Sequence, residues 1–378
     1  ASLLAEALMD LHPWDFWSKQ GEAKPWTGEI VGTLEHVLRL DPDNPLANHL
    51  YIHALEASPY PEKALTSAQK LPLLVPGSGH LVHMPAHIYI RVGRYRDAIL
   101  ANQNAVKIDH AYLNHSHTES IYTLAYVPHN YHFLWAAAIK TGRKALANQA
   151  AADTAKHVNQ DMLRKPGFSG TLQHFLTIPL YTKALFGDWD AILKEPKPAP
   201  DLLYPTGVLH YARTLAFIRK DKLREAKLEL AELERIIADP AIAKLTVFDI
   251  NSVRQLLEIG AELLRGELSA KNRDYANAIS HLQRAVILED SLNYSEPKDW
   301  YLPPRQVLGL VLMAAGKDAE AEQVYRKDIA YHPQNGWSLF GLLQSLRKQG
   351  KDDEAGRIQS RFEAVWSDAD VVLTGSRF

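Results

Sequence analysis

The chain has 378 residues, no cysteine, and 42 Lys+Arg against 44 Asp+Glu, a formal net charge of −2. Without cysteine there are no disulfides, thiolate metal sites or cysteine nucleophiles. No lysine/arginine run argues for nucleic acid, and the longest apolar runs, such as LGLVLMAA, are far shorter than a membrane span. Histidine is abundant, with 17 copies, and it is the side chain most readily used for metals and proton transfer at neutral pH.

Taken in chain order, the elements all read as helices. The chain opens at Ala1 directly in a helical pattern, LLAEALMDL, as a processed or truncated chain would, so any targeting segment and the compartment stay open. Ala64 followed by Pro76 marks an early helix pair, and Ala86, Tyr89, Gly93, Tyr95, Ala98 and Ala105 form a good copy of one repeat frame. Residues 109–127 form a long insertion, carrying His110, His115, His117, Glu119, Tyr122 and Tyr126. It can fold as a lid or stay a solvated loop. Gly142 with Ala147 and Gly187 with Trp189 mark further copies.

The Pro-rich stretch 194–205 reads as a connection between an N-terminal half, 1–193, and a C-terminal half, 206–378. Segments 209–238 and 247–290 are two less regular pairs. Segment 302–333 is the sharpest copy, with Leu308–Gly309, Gly316, Ala321, Tyr325 and Pro333. A small residue admits the partner helix, a glycine caps the first helix, and a proline stops the second. Gly350 with Ala355 follows near the end. The 34-residue spacing is that of tetratricopeptide (TPR) repeats. The expected fold is therefore an all-α, right-handed TPR-like solenoid of about eight antiparallel helix pairs, with essentially no sheet.

The histidines share a phase. His80, His129 and His174 lie thirteen residues before Gly93, Gly142 and Gly187, and His83 and His132 lie ten before the first two. His87 lies six before Gly93. Aligning Ala64 on Ala98 places His49 on His83 and His53 on His87, with Glu56 one turn on. Spacings of three, four and seven put these side chains on one helical face, which in a solenoid lines the concave groove. Pro85 either kinks this helix or starts a new one.

The expected metal ligands are His49, His53, His80, His83, His87, His129, His132 and His174. Glu56 is a further ligand or general base and Tyr89 a substrate-orienting candidate, as are Tyr126 and Tyr131. Imidazole and carboxylate suit a divalent transition metal such as Zn, Cu, Fe, Mn or Ni. A metal-dependent groove, as a binding or a catalytic site, would take a small molecule or peptide. The competing reading is a binding scaffold without catalysis, with Trp14, Trp17, Trp26 and Trp135 as anchors. The plainest reading leaves the histidines as groove-facing polar residues or partners of backbone carbonyls.

The strings NHLYIHALEAS, GHLVHMPAHIYIRVGRYRDA, PHNYHFL, NGWSLFGLLQSL and the terminal SRF resemble a family of long bacterial TPR proteins, over essentially the whole chain. The resemblance implies the repeat fold and further N-terminal repeats, and it implies no particular chemistry.

Overall fold

The computed structural model describes residues 1–115 and 120–378. His117 and Glu119 of the insertion lie outside the described residues. The chain divides into two compact units, Ala1–Ala137 and Ala138–Phe378. The Pro-rich stretch 194–205 lies inside the second.

In the first unit, α1 (Ser2–Leu11), α2 (Thr27–Leu40), α3 (Pro45–Glu56) and α4 (Leu65–Leu74) follow one another. Next come α5 (Gly79–His83), α6 (Pro85–Arg91), α7 (Tyr95–His115) and α8, which starts at Val127 and runs to Lys140. α5 and α6 are one repeat helix broken at Met84–Pro85. Proline has no N–H to continue the ladder, and here it occupies the first position of α6. α7 packs on both pieces, while α3 and α4 pack on α6.

The second unit contains α9 (Lys144–Lys156), α10 (Ser169–Leu185), α11 (Trp189–Leu193), α12 (Leu203–Arg219), α13 (Leu223–Ala238) and α14 (Val253–Lys271). They are followed by α15 (Tyr275–Asp290), α16 (Pro304–Ala314), α17 (Asp318–Tyr331), α18 (Gly336–Lys348) and α19 (Asp352–Trp366). From α12 onward each helix packs on the next, and α10, α12, α14, α16 and α18 also touch in succession. That double pattern, pairing within a repeat and stacking of first helices between repeats, is the TPR-like architecture. The one sheet among the described residues is a two-residue antiparallel ladder, Thr246–Val247 with Asn251–Ser252.

The repeat frame has a physical basis. The first helices end on glycines at positive φ: Gly93 (78°), Gly142 (69°), Gly187 (74°), Gly316 (75°) and Gly350 (71°). The residue after each returns its N–H to a carbonyl five back, as Arg94 does to Tyr89 and Lys317 to Leu312. The two irregular pairs use the same cap with Asp221 (φ 58°) and Arg273 (φ 62°) in the glycine's place. Lys222 then bonds Phe217, and Asp274 bonds Ser269. The backbone repeat is intact where its sequence signature is missing. In the sharpest repeat, the buried Tyr325 ring fills the space a Cβ would need at both Gly309 and Gly341.

Candidate metal centre

α3, α5, α6 and α8 bring six imidazoles of the first unit into one cluster. Ring centroids are 4.9 Å apart for His49–His53, 5.2 Å for His49–His80 and 5.4 Å for His53–His87. They are 5.9 Å for His80–His83, 4.9 Å for His83–His87 and 5.0 Å for His83–His129. The Phe133 ring packs 4.3–4.6 Å from His83, His87 and His129, walling that end with hydrocarbon. His83 and His87 are buried, and His49, His53, His80 and His129 are half-buried.

Hydrogen bonds fix the tautomers of three rings. Asn102, on α7, donates its amide N–H to the Ala98 carbonyl at 2.7 Å, which turns its carbonyl oxygen toward His83 Nδ1, also at 2.7 Å. His83 must therefore donate from Nδ1. The buried Glu56 carboxylate accepts from His53 Nδ1 at 3.0 Å through Oε1 and from His87 Nδ1 through Oε2. Each ring in its neutral form is left with a bare lone pair on Nε2. Arg91 steadies this end of α3, donating to the Glu56 backbone carbonyl at 2.7 Å.

The lone pairs of His83 and His87 meet, their Nε2 atoms 3.0 Å apart. Two acceptors at that distance repel unless a proton or a cation lies between them. A proton is disfavoured: burial, then the neighbouring His87 and His129, hold the His83 imidazole well below its ordinary pKa. Burial also lowers His87, against the pull of Glu56. Burial pushes the Glu56 carboxyl up, but His87 and His53 on its two oxygens outweigh this and hold it below the usual range. The cluster thus combines a buried carboxylate with lone pairs aimed inward. Two nitrogens each ~2.0–2.1 Å from a metal and separated by ~90–110° lie about 2.8–3.4 Å apart, which spans the observed spacing.

Three groups offer ligand atoms all within 4.8 Å of one another: His83/His87/His129, His49/His53/His80, and His53/Glu56/His87. In the last, both Glu56 oxygens are already engaged by Nδ1 atoms, which makes it the orienting carboxylate of two rings.

The other expected residues have different surroundings. His132, one turn beyond His129, is buried with its ring stacked on Trp135 at 5.6 Å. His174 lies in the second unit, its Nδ1 2.8 Å from the Tyr204 hydroxyl and its Nε2 bonded to the Tyr301 hydroxyl. Tyr89 packs under the Arg94 guanidinium, 4.7 Å from the ring centre. Tyr131 bonds His110 Nε2 at 2.5 Å, whereas Tyr126 meets the His80 ring edge-on at 4.7 Å. Of the tryptophans suggested as anchors, Trp14 lies 5.1 Å from the His53 ring and Trp17 donates to Ala54. Trp26 stacks on His12, and Trp135 is fully buried and cannot hold a ligand at the surface.

The described part of the insertion anchors the cluster. Tyr122 donates to Asp109 at 2.5 Å and accepts from the His80 backbone N–H at 3.1 Å, while Asn130 donates to the other Asp109 oxygen at 2.7 Å. Gly79 permits this, because a Cβ there would lie 1.9 Å from Asp109 Oδ1.

Among the described residues, no helix is long and apolar enough to cross a membrane. No protein-family model matches the chain, and no curated protein matches it in sequence. Among solved structures, the human IFIT1 dimer with m7Gppp-AAAA is 13% identical with a TM-score of 0.38, covering 97% of this chain and 72% of that one. A chain of the Naa15/Naa10 assembly bound to HypK-THB is 12% identical with a TM-score of 0.32, covering 96% and 63%. Yeast Tom70 is 13% identical with a TM-score of 0.29, covering 98% and 93%. Similarity this low transfers neither ligand nor activity to this chain.

Proposed function

We propose that the histidine cluster is a transition-metal centre in which His83, His87 and His129 are ligands. Glu56 and Asn102 are the groups that aim His87 and His83. The observation that carries this is the facing pair of Nε2 atoms, 3.0 Å apart, on rings whose Nδ1 atoms are both committed to acceptors. Ligating histidines commonly donate their other ring N–H to a carboxylate or carbonyl in this manner. An all-imidazole set suits Zn(II), Cu(II), Fe(II) or Ni(II). Three protein ligands would leave a further coordination position for water or a small molecule, the arrangement of catalytic sites.

The test is metal titration of the stripped protein, produced without an affinity tag. Zn(II) should bind to wild type and to His332→Ala, a control at the C-terminal end of α17 in the second unit and outside the cluster, and His83→Ala should bind far more weakly. No uptake by wild type would return the chain to a binding scaffold without metal.

A further inference from the structure

The cluster has two ends, and the second has its own ligand set. Building on the metal reading above, we infer that His49, His53 and His80 form a second metal subsite, coupled to the first through Glu56, so that the centre is dinuclear.

Three observations carry this. One ring nitrogen from each of His49, His53 and His80 lies within 4.8 Å of the others, and none of these residues belongs to the His83/His87/His129 group. Two buried nitrogens at this end, His49 Nε2 and His80 Nδ1, have no hydrogen-bond partner among the described residues. Buried polar atoms are ordinarily satisfied, so a pair left open beside a third imidazole marks a position for something that accepts their lone pairs. Finally, Glu56 treats the two ends alike: Oε1 takes His53 of one set and Oε2 takes His87 of the other. One buried carboxylate charge thus supports two cation positions. The ends adjoin, with centroids of 5.4 Å for His53–His87 and 5.9 Å for His80–His83. With both subsites filled, adjoining ions could share one bridging water or anion, as in two-metal hydrolytic chemistry. The Tyr126 and Trp14 rings, on His80 and His53 respectively, flank the second subsite.

The experiment is titration of Co(II) into stripped, untagged protein, followed by optical absorption, with bound metal counted after gel filtration. Wild type should take two Co(II) per chain. His49→Ala, and separately His80→Ala, should take one, with the wild-type absorption of the remaining ion and an unchanged melt of the stripped form. His129→Ala should lose the other. In wild type the second equivalent should attenuate the low-temperature electron paramagnetic signal of the first, as two coupled ions do. One Co(II) in wild type, unaffected by His49→Ala and His80→Ala, would overturn the second subsite and leave the first standing. No Co(II) in wild type would overturn both.

Discussion

Replacing Glu56 by glutamine probes the centre with almost no change of volume. The carboxylate accepts two Nδ1–H bonds, one on each oxygen. Glutamine offers one acceptor oxygen and an NH2 donor, so either His53 or His87 must face a donor. That ring would shift its proton to Nε2, the atom that in His87 faces His83, and stop being a ligand. Loss of such an outer partner typically weakens metal binding by about 10–100-fold, or about 1.4–2.7 kcal/mol. At saturating metal the loaded protein loses the same amount of stabilisation, a fall in Tm of roughly 4–10 °C. The stripped protein should respond differently. There the substitution removes only a carboxylate bond to an Nδ1–H, without any loss of metal stabilisation, so the loaded form should fall by more than the stripped one. Differential scanning fluorimetry of loaded and stripped Glu56→Gln therefore distinguishes the roles. Equal destabilisation of both forms would refute the orienting role and leave Glu56 as a packing residue.

Asn102→Ala removes the acceptor that holds the His83 tautomer, and should weaken metal binding by at least 10-fold in a Zn(II) competition assay while costing the stripped protein about 1–3 kcal/mol for the unsatisfied Nδ1–H. Gly79→Ala puts a methyl against Asp109 and Tyr122, and should lower stripped-protein stability by about 1–3 kcal/mol in urea, with metal affinity falling as α5 shifts. In the second unit, burial, opposed by hydrogen bonds from Asn251 and Ser295, raises the Asp299 carboxyl to about 7 from 3.8. Between these values the unfolded chain binds fewer protons, so stability should fall as pH rises from about 4 to about 7, by on the order of 4 kcal/mol. Asp299→Asn should flatten that slope in pH-dependent urea melts. Gly309→Ala forces a methyl into the Tyr325 ring and should cost several kcal/mol, about 3 or more, without changing metal affinity.

The all-helical repeat was legible because its frame is a set of backbone requirements. Glycine at a left-handed cap and a small residue beneath Tyr325 leave marks at fixed spacing. The pairs around 209–290 were harder to read because Asp221 and Arg273 adopt the cap conformation without being glycine, so the chemistry of the mark vanished while the geometry stayed. The histidine phase was legible for the same reason: residues at matching repeat positions point to matching places, which puts His49 and His53 beside His80, His83 and His87. Phase alone did not separate His132 and His174, whose neighbours Trp135, Tyr204 and Tyr301 come from local packing. Glu56 stood out in sequence as a ligand or base; its engagement of two Nδ1 atoms depends on the approach of α6 to α3, which spacing does not give. Asn102 and Asp109 were missed although a signal existed. With Ala98 and Ala105 they fall at spacings of four, three and four on the packed face of α7, and polar residues on an apolar stripe need partners there.

The most direct measurement is anomalous diffraction from crystals of metal-loaded, untagged protein, recorded on both sides of the metal's absorption edge. A peak is expected at about 2.0–2.1 Å from Nε2 of both His83 and His87, with His129 completing the set. A loaded crystal whose anomalous peaks all lie away from these nitrogens, or in which Nε2 of His83 and His87 still face one another with no metal between them, would contradict it.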